Sequence, residues 1–130
     1  MNILYEYLSA LVIFVAIDLI WIFTIVLKVY KKELGSVFLT KFKKIPAIIF
    51  YLLYILGLVI FVLNPAIQSS SFNFSLLGGL LFGLVSYATY DLTNLSTLKG
   101  WSIYISIIDI IWGAILTGIV SILVFYIFVR

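Results

Sequence analysis

The chain contains neither cysteine nor histidine, and only 10% of its 130 residues are charged. The first absence excludes disulfides and thiolate metal sites, and the second excludes imidazole acid–base chemistry. Without histidine an ordinary haem ligand is also missing apart from Met1, while quinone or pigment binding stays open and the residues do not say which cofactor, if any, is held. Scarcity of charge is the stronger exclusion: a soluble domain is about a quarter charged and about half apolar, whereas this chain is 65% hydrophobic with mean hydropathy +1.32.

A helix that crosses a bilayer needs about 20 mostly apolar residues. Four runs meet that need, Leu8–Leu27, Ile45–Leu63, Phe74–Leu92 and Trp101–Val129. They predict an all-α integral membrane four-helix bundle in a single domain, 1–130, with helices over about 4–28, 45–63, 74–93 and 101–129. A transmembrane barrel would alternate apolar and polar residues over about ten positions. Ile45–Leu63 and Ile110–Val129 are apolar on successive positions instead. The first run is longer than a signal-peptide core, follows Glu6 and precedes the lysines at 28, 31 and 32, so it is expected to stay as helix 1.

Six of the eight basic residues, Lys28, Lys31, Lys32, Lys41, Lys43 and Lys44, fall between helices 1 and 2, opposed only by Glu33. Lys99 falls between helices 3 and 4, and the connection Asn64–Asn73 carries no charge. The positive-inside rule puts the basic loop 28–44 in the cytoplasm and both termini on the non-cytoplasmic side, with Arg130 in mild dissent, in the cell inner (plasma) membrane. Val37, Phe38, Leu39 and Phe42 interleave with those lysines as in a short interfacial helix. Lysines at anionic headgroups account for the +3 net charge, so membrane lipids are the expected partner and nucleic acid is not.

Close-packing patterns occur in helices 3 and 4. Gly79 and Gly83 form a GxxxG, and Ala114/Gly118 and Thr117/Ser121 are small-xxx-small pairs. Helix 2 has no ionisable group, only Tyr51, Tyr54 and Gly57 interrupt its apolar run, and it reads as the lipid-facing scaffold.

Chemistry is expected at the acids, of which there are five. Glu6 and Glu33 read as interfacial, where charge is cheap. Asp18, Asp91 and Asp109 fall inside the spans, where an acid costs about 2.5–3.5 kcal/mol on insertion scales and faces a bundle interior or a wet cavity. At 1.5 Å per residue, Asp18 lies roughly 15 Å and Asp109 roughly 12 Å from the same inner boundary, with Asp91 shallower. All three can therefore converge on one cytoplasm-facing pocket. Ser102, Ser106, Asp109, Gly113, Thr117 and Ser121 make one polar stripe on helix 4. Gly83, Tyr87, Tyr90 or Asp91, and Asn94 make a second on helix 3, and Phe14, Asp18, Trp21 and Thr24 or Ile25 a third on helix 1.

Ile17–Trp21 closely matches Ile108–Trp112, each placing Trp three residues after Asp on one helix face. Both aspartates fall in the same half of the membrane, which argues against an inverted repeat and for a shared pocket solution. Trp101 reads as an interfacial anchor. Trp21 and Trp112 lie deeper; they either pack with the indole N–H bonded to a neighbour or form aromatic walls around a cation. No Arg or Lys falls in a span beside the acids, so protonation, a cationic ligand, or an inward reach by Lys28 or Lys99 must balance them.

The segment Tyr87-Ala-Thr-Tyr-Asp-Leu-Thr-Asn94, with Asp18…Trp21 before it and Asp109…Trp112-Gly113 after it, resembles a family of small four-helix bacterial membrane proteins of unknown function. The resemblance spans essentially the whole chain and implies that these positions form a shared core; it brings no reaction. Physically the segment reads as the inner end of helix 3 entering a tight loop, with Asp91, Thr93 and Asn94 capping backbone groups or forming a functional rim with Tyr87 and Tyr90.

The leading expectation is a membrane protein that binds a cation or small polar ligand, with proton-coupled transport as its fuller form. Its site would be Asp18, Trp21, Tyr87, Tyr90, Asp91, Thr93, Asn94, Asp109 and Trp112. A transporter of this size is expected to be a homodimer. A second expectation is a lipid-modifying membrane enzyme or its accessory subunit, with paired aspartates as acid and base or holding a divalent metal at Asp18, Asp91 and Asp109. A structural or assembly protein is the third.

Overall fold

The computed structural model describes residues 3–30, 32 and 44–129. The readings made on Lys31, Glu33, Lys41, Lys43, Arg130 and the interfacial segment around Phe38 lie outside the described residues.

Four helices are long and apolar enough to cross a membrane. Helix α1 (Ile3–Trp21) continues as a π-helix over Ile22–Tyr30. Helix α2 (Lys44–Leu58) continues through π-helical Val59–Leu63 into Asn64–Gln68. Helices α3 (Phe72–Thr97) and α4 (Ile103–Phe128) follow.

Both π segments have local causes. Pro65 supplies no backbone N–H and its ring crowds the preceding turn, so the ladder before it widens and Asn64 N–H donates to Val59 O, five residues back. In α1 the Thr24 hydroxyl donates to Ile20 O at 2.6 Å, which competes with the main-chain ladder at the junction. Helix 2 therefore runs past Pro65 to Gln68, and the α2–α3 connection shrinks from the expected ten residues to Ser69–Ser71, with Ser70 turned at φ 51°. Ser71 and Ser102 cap α3 and α4 by accepting from Phe74 N and Ile105 N.

The tightest contact is the antiparallel α3–α4 pair. Ideal Cβ atoms on Gly79, Gly83 and Gly113 would run into Ser121, the Gly113 carbonyl and the Tyr87 ring respectively. The backbones approach this closely only because no side chain stands between them. Helix α1 packs on α4 and α2 through Ala10 and Phe14, both fully buried.

Two expectations about the helices are corrected. Helix α2 is not the lipid-facing scaffold: Tyr54, Ile55, Leu58, Val59, Val62, Leu63, Ala66 and Ile67 supply much of the core. The most outward helix is α3, only 17% of whose apolar window is buried against 28% for α2 and 44% for α4. The physical reason is size, because the inward stripe of α3 is Ser75, Gly79, Gly83 and Asp91, and apart from Phe82 and Tyr87 most of its large side chains point away. The second correction concerns residues 92–97, which stay helical rather than forming a tight loop. Ser96 and Thr97 hydroxyls donate to Thr93 O, and the turn falls later, at Gly100 with φ 88°.

Candidate functional site

α2 meets α3 at close backbone range along Val59–Gln68, while toward Lys44 contact passes to long side chains such as Tyr54, Phe82 and Tyr87. This splay leaves a cavity of about 440 Å³ lined by residues from all four helices. Asp18, Trp21, Ile22 and Val26 come from α1 and its extension; Pro46, Ala47, Phe50 and Tyr54 from α2; Ser86, Tyr87 and Tyr90 from α3; and Asp109 from α4. The volume lies within the range of small-molecule pockets, and the mix of aromatic wall and few polar groups is the usual one.

Asp18 is 8% exposed and doubly held. The Tyr51 hydroxyl donates to Oδ2 at 2.6 Å, and the Trp112 indole N–H donates to Oδ1 at 3.2 Å. Trp112 in turn stacks on Trp21, with ring centroids 4.3 Å apart and planes 6° from parallel. Trp21 is the cavity wall and Trp112 lies behind it, fixing the carboxylate. Tyr54, beneath Phe14 and Tyr87, shares a 2.8 Å hydrogen bond with the Thr117 hydroxyl.

Asp109 lines the cavity, and its charge is felt at Asp18. Asp91 is fully buried beside Asp109 but does not line the cavity. The three aspartates thus form a chain from α1 through α4 to α3, and among the described residues no group of three acids is arranged to hold a metal ion.

The remaining expected residues divide. Tyr87 and Tyr90 line the cavity, and Asn94 lies beside the Tyr90 hydroxyl. Thr93 is exposed, and its carbonyl rather than its side chain is engaged. Asp91 caps nothing, since among the described residues neither of its oxygens accepts a hydrogen bond. Trp101 edges onto Tyr90 and donates to Ser106 Oγ at 3.1 Å. Lys28 and Lys99 are exposed and neither reaches the cavity.

The sequence reading missed two features. Tyr51 and Tyr54 bring α2 into the polar seam that was assigned to α1, α3 and α4; their i, i+3 spacing on an otherwise apolar run was the available signal. Glu6, read as interfacial, is 1% exposed and accepts from Asn64 Nδ2 at 3.1 and 3.4 Å. Glu6, Ala10, Phe14 and Asp18 recur every four residues as the buried stripe of α1.

Four apolar spans with a polar seam buried among them define a multi-pass helical membrane protein. The chain belongs to the DUF2177 family of predicted membrane proteins, whose sequence profile matches residues 3–126, nearly its full length. No curated protein and no solved structure matches the chain.

Proposed function

We propose that this protein binds a small organic cation or polar ligand in the four-helix cavity, as the ligand site of a transport or sensing cycle. The observation that carries the reading is the convergence of Asp18 and Asp109, from two different helices, on an aromatic-walled cavity inside the spans. Intramembrane acids are expensive and mark ligand or ion paths by default. Trp21 offers a π face to a cation, and the stacked Trp112 and the Tyr51 hydroxyl hold Asp18 in one orientation. Tyr54, Ser86 and Tyr90 add hydroxyls that can orient polar groups.

The lysines gathered at the α1–α2 end support an inner (plasma) membrane protein with this cavity on the cytoplasmic side. We further infer that Tyr87-Ala-Thr-Tyr-Asp-Leu-Thr-Asn94 is part of the family's shared core, because Tyr87, Tyr90 and Asp91 all belong to the seam.

The test uses tetraphenylphosphonium and the full chain in lipid nanodiscs, read by tryptophan fluorescence. Saturable quenching is expected, lost in Trp21→Phe, with affinity about tenfold weaker in Asp18→Asn and in Asp109→Asn, a loss of about 1.4 kcal/mol each. Non-saturable quenching that is the same in all four proteins would reflect partition into lipid and would sink the reading.

A further inference from the structure

The α3–α4 pair has a register that repeats every four residues. Ser75 Oγ donates to Ser121 O, Gly79 lies against Ser121 and Thr117, Gly83 against Thr117 and Gly113, and the Tyr87 ring against Gly113. One more step along α3 and one step back along α4 brings Asp91 opposite Asp109, and the two carboxyl groups interact.

Asp91 is 0% exposed, and among the described residues both its oxygens lack a hydrogen-bond partner. An ionised carboxylate only accepts hydrogen bonds, so it gains nothing from facing a second acceptor. Burying it in that state would be among the costliest arrangements available to a side chain. A protonated Asp91 reverses the situation: its O–H becomes the donor and Asp109 the acceptor, in a short charge-assisted bond. Among the described residues no side chain or backbone group donates to Asp91, and the polar groups nearest the pair are engaged elsewhere. From α4, the Ser106 hydroxyl is already committed to Ser102 O. From α3, the Tyr90 hydroxyl lies beside Asn94. From α1, Asp18 is a third acid and is held by Tyr51 and Trp112, and from α2 Tyr54 is paired with Thr117.

We propose that Asp91 is a proton-binding site, its carboxyl donating to Asp109, so that the pair stores one proton at the wall of the cavity. Release breaks the Asp91 O–H bond, delivers the proton to water by way of Asp109, which lines the cavity, and leaves two carboxylates. Rebinding reverses each step. The proton site shares Asp109 with the ligand reading above but does not depend on it. Where both hold, a cation at Asp109 and the proton on Asp91 oppose one another, and each weakens the other by the same factor.

Infrared spectroscopy of the full chain in nanodiscs, with no ligand added, tests the proton site alone. At neutral pH the wild type should give a carboxylic-acid carbonyl stretch. Asp91→Asn should remove it, Asp109→Asn should shift its frequency by exchanging a charged acceptor for the neutral amide oxygen, and Asp18→Asn and Glu6→Gln should leave it in place. Aspartate labelled with carboxyl-¹³C should lower its frequency in the unmodified protein, a readout that needs no variant to fold. The proposal fails if the wild type lacks such a band, if the band ignores the label, or if it survives unchanged in Asp91→Asn. A missing band would leave probe binding in the cavity untouched, and absent probe binding would leave the band untouched.

Discussion

The two ends of the bundle bury the same chemistry to different ends. At the Glu6 end the helices close up around Ala66, Ile67 and Leu63, and the one acid is matched by one amide, Asn64. At the Asp18 end α2 leans away, three acids lie in sequence, and a cavity opens beside them. A buried carboxyl is therefore not in itself a functional site. It becomes a candidate where it lines a space, lacks a donor or neighbours another acid, and Glu6 meets none of those conditions.

The contrast depends on a seam common to both ends, the α3–α4 glycine register, so the largest effects are expected there. In Gly83→Ala the new Cβ would meet the Gly113 carbonyl, which cannot swing aside as a side chain can. Overpacking of this kind costs about 1–3 kcal/mol and occasionally more, and Gly83→Leu should fail to assemble. Gly118→Ala meets the Leu80 side chain, which can shift where a backbone carbonyl cannot, and should fall at or below the low end of that range, about 1 kcal/mol. Thermal unfolding in nanodiscs reads the ranking. If Gly118→Ala were the worse of the two alanines, the seam would not be what holds the cavity half together.

Next in size is a pair of substitutions that separates structural from functional acids. Asn64→Leu alone leaves Glu6 buried without its donor and should cost about 1–3 kcal/mol. Adding Glu6→Leu should recover most of that loss, because replacing a buried polar pair with apolar groups of similar shape is close to neutral. Tetraphenylphosphonium binding should be unchanged in the double variant. Weaker binding there would mean that the two ends communicate.

Smaller still are the losses at the donors that hold Asp18. Tyr51→Phe and Trp112→Phe each delete one hydrogen bond while keeping a ring, and bonds between membrane helices average about 0.6 kcal/mol with a maximum near 1.7. Stability should move by that amount in Tyr51→Phe and by more in Trp112→Phe, which also shrinks the ring stacked on Trp21. Probe affinity should fall in both, since an Asp18 released from its donors no longer faces the cavity in one orientation. A fall in stability with unchanged affinity would make the two donors structural.

Much of this arrangement was legible in the residues, for reasons that vary by helix. Ser106, Asp109, Gly113, Thr117 and Ser121 stand out on α4 because small and polar groups at steps of three and four have no reason to face lipid, and four of them are buried. The GxxxG of α3 was legible as a contact but not as a partner, since the motif says only that something approaches closely. Tyr51 and Tyr54 were hidden because an aromatic in an apolar run suits lipid as well as core. Asn64 was hidden behind Pro65, which reads as a stop although the widened π turn lets the helix run on. Glu6 was misjudged because nearness to a helix end says little about burial when a neighbouring helix extends past it. The splay of α2 from α3 is tertiary geometry and leaves no periodic trace, so the cavity itself could only be inferred from the acids that needed one.

The smallest expected effect is at Thr93, and it tests where the site stops. The distinctive segment of α3 is split by helical geometry: Tyr87 and Asp91 turn toward the seam, Tyr90 is 57% exposed and borders the cavity, and Thr89, Leu92 and Thr93 turn out. Thr93 contributes only its carbonyl, which accepts from Ser96 and Thr97 and would still do so after Thr93→Ala. Stability should stay within about 0.5 kcal/mol and tetraphenylphosphonium affinity should not change. Tyr90→Phe, one turn nearer the cavity, removes a hydroxyl from its wall and should weaken binding measurably. If Thr93→Ala weakened binding more than Tyr90→Phe, the ligand would sit on the outward face of α3, and the open end of the bundle would be as structural as the closed one.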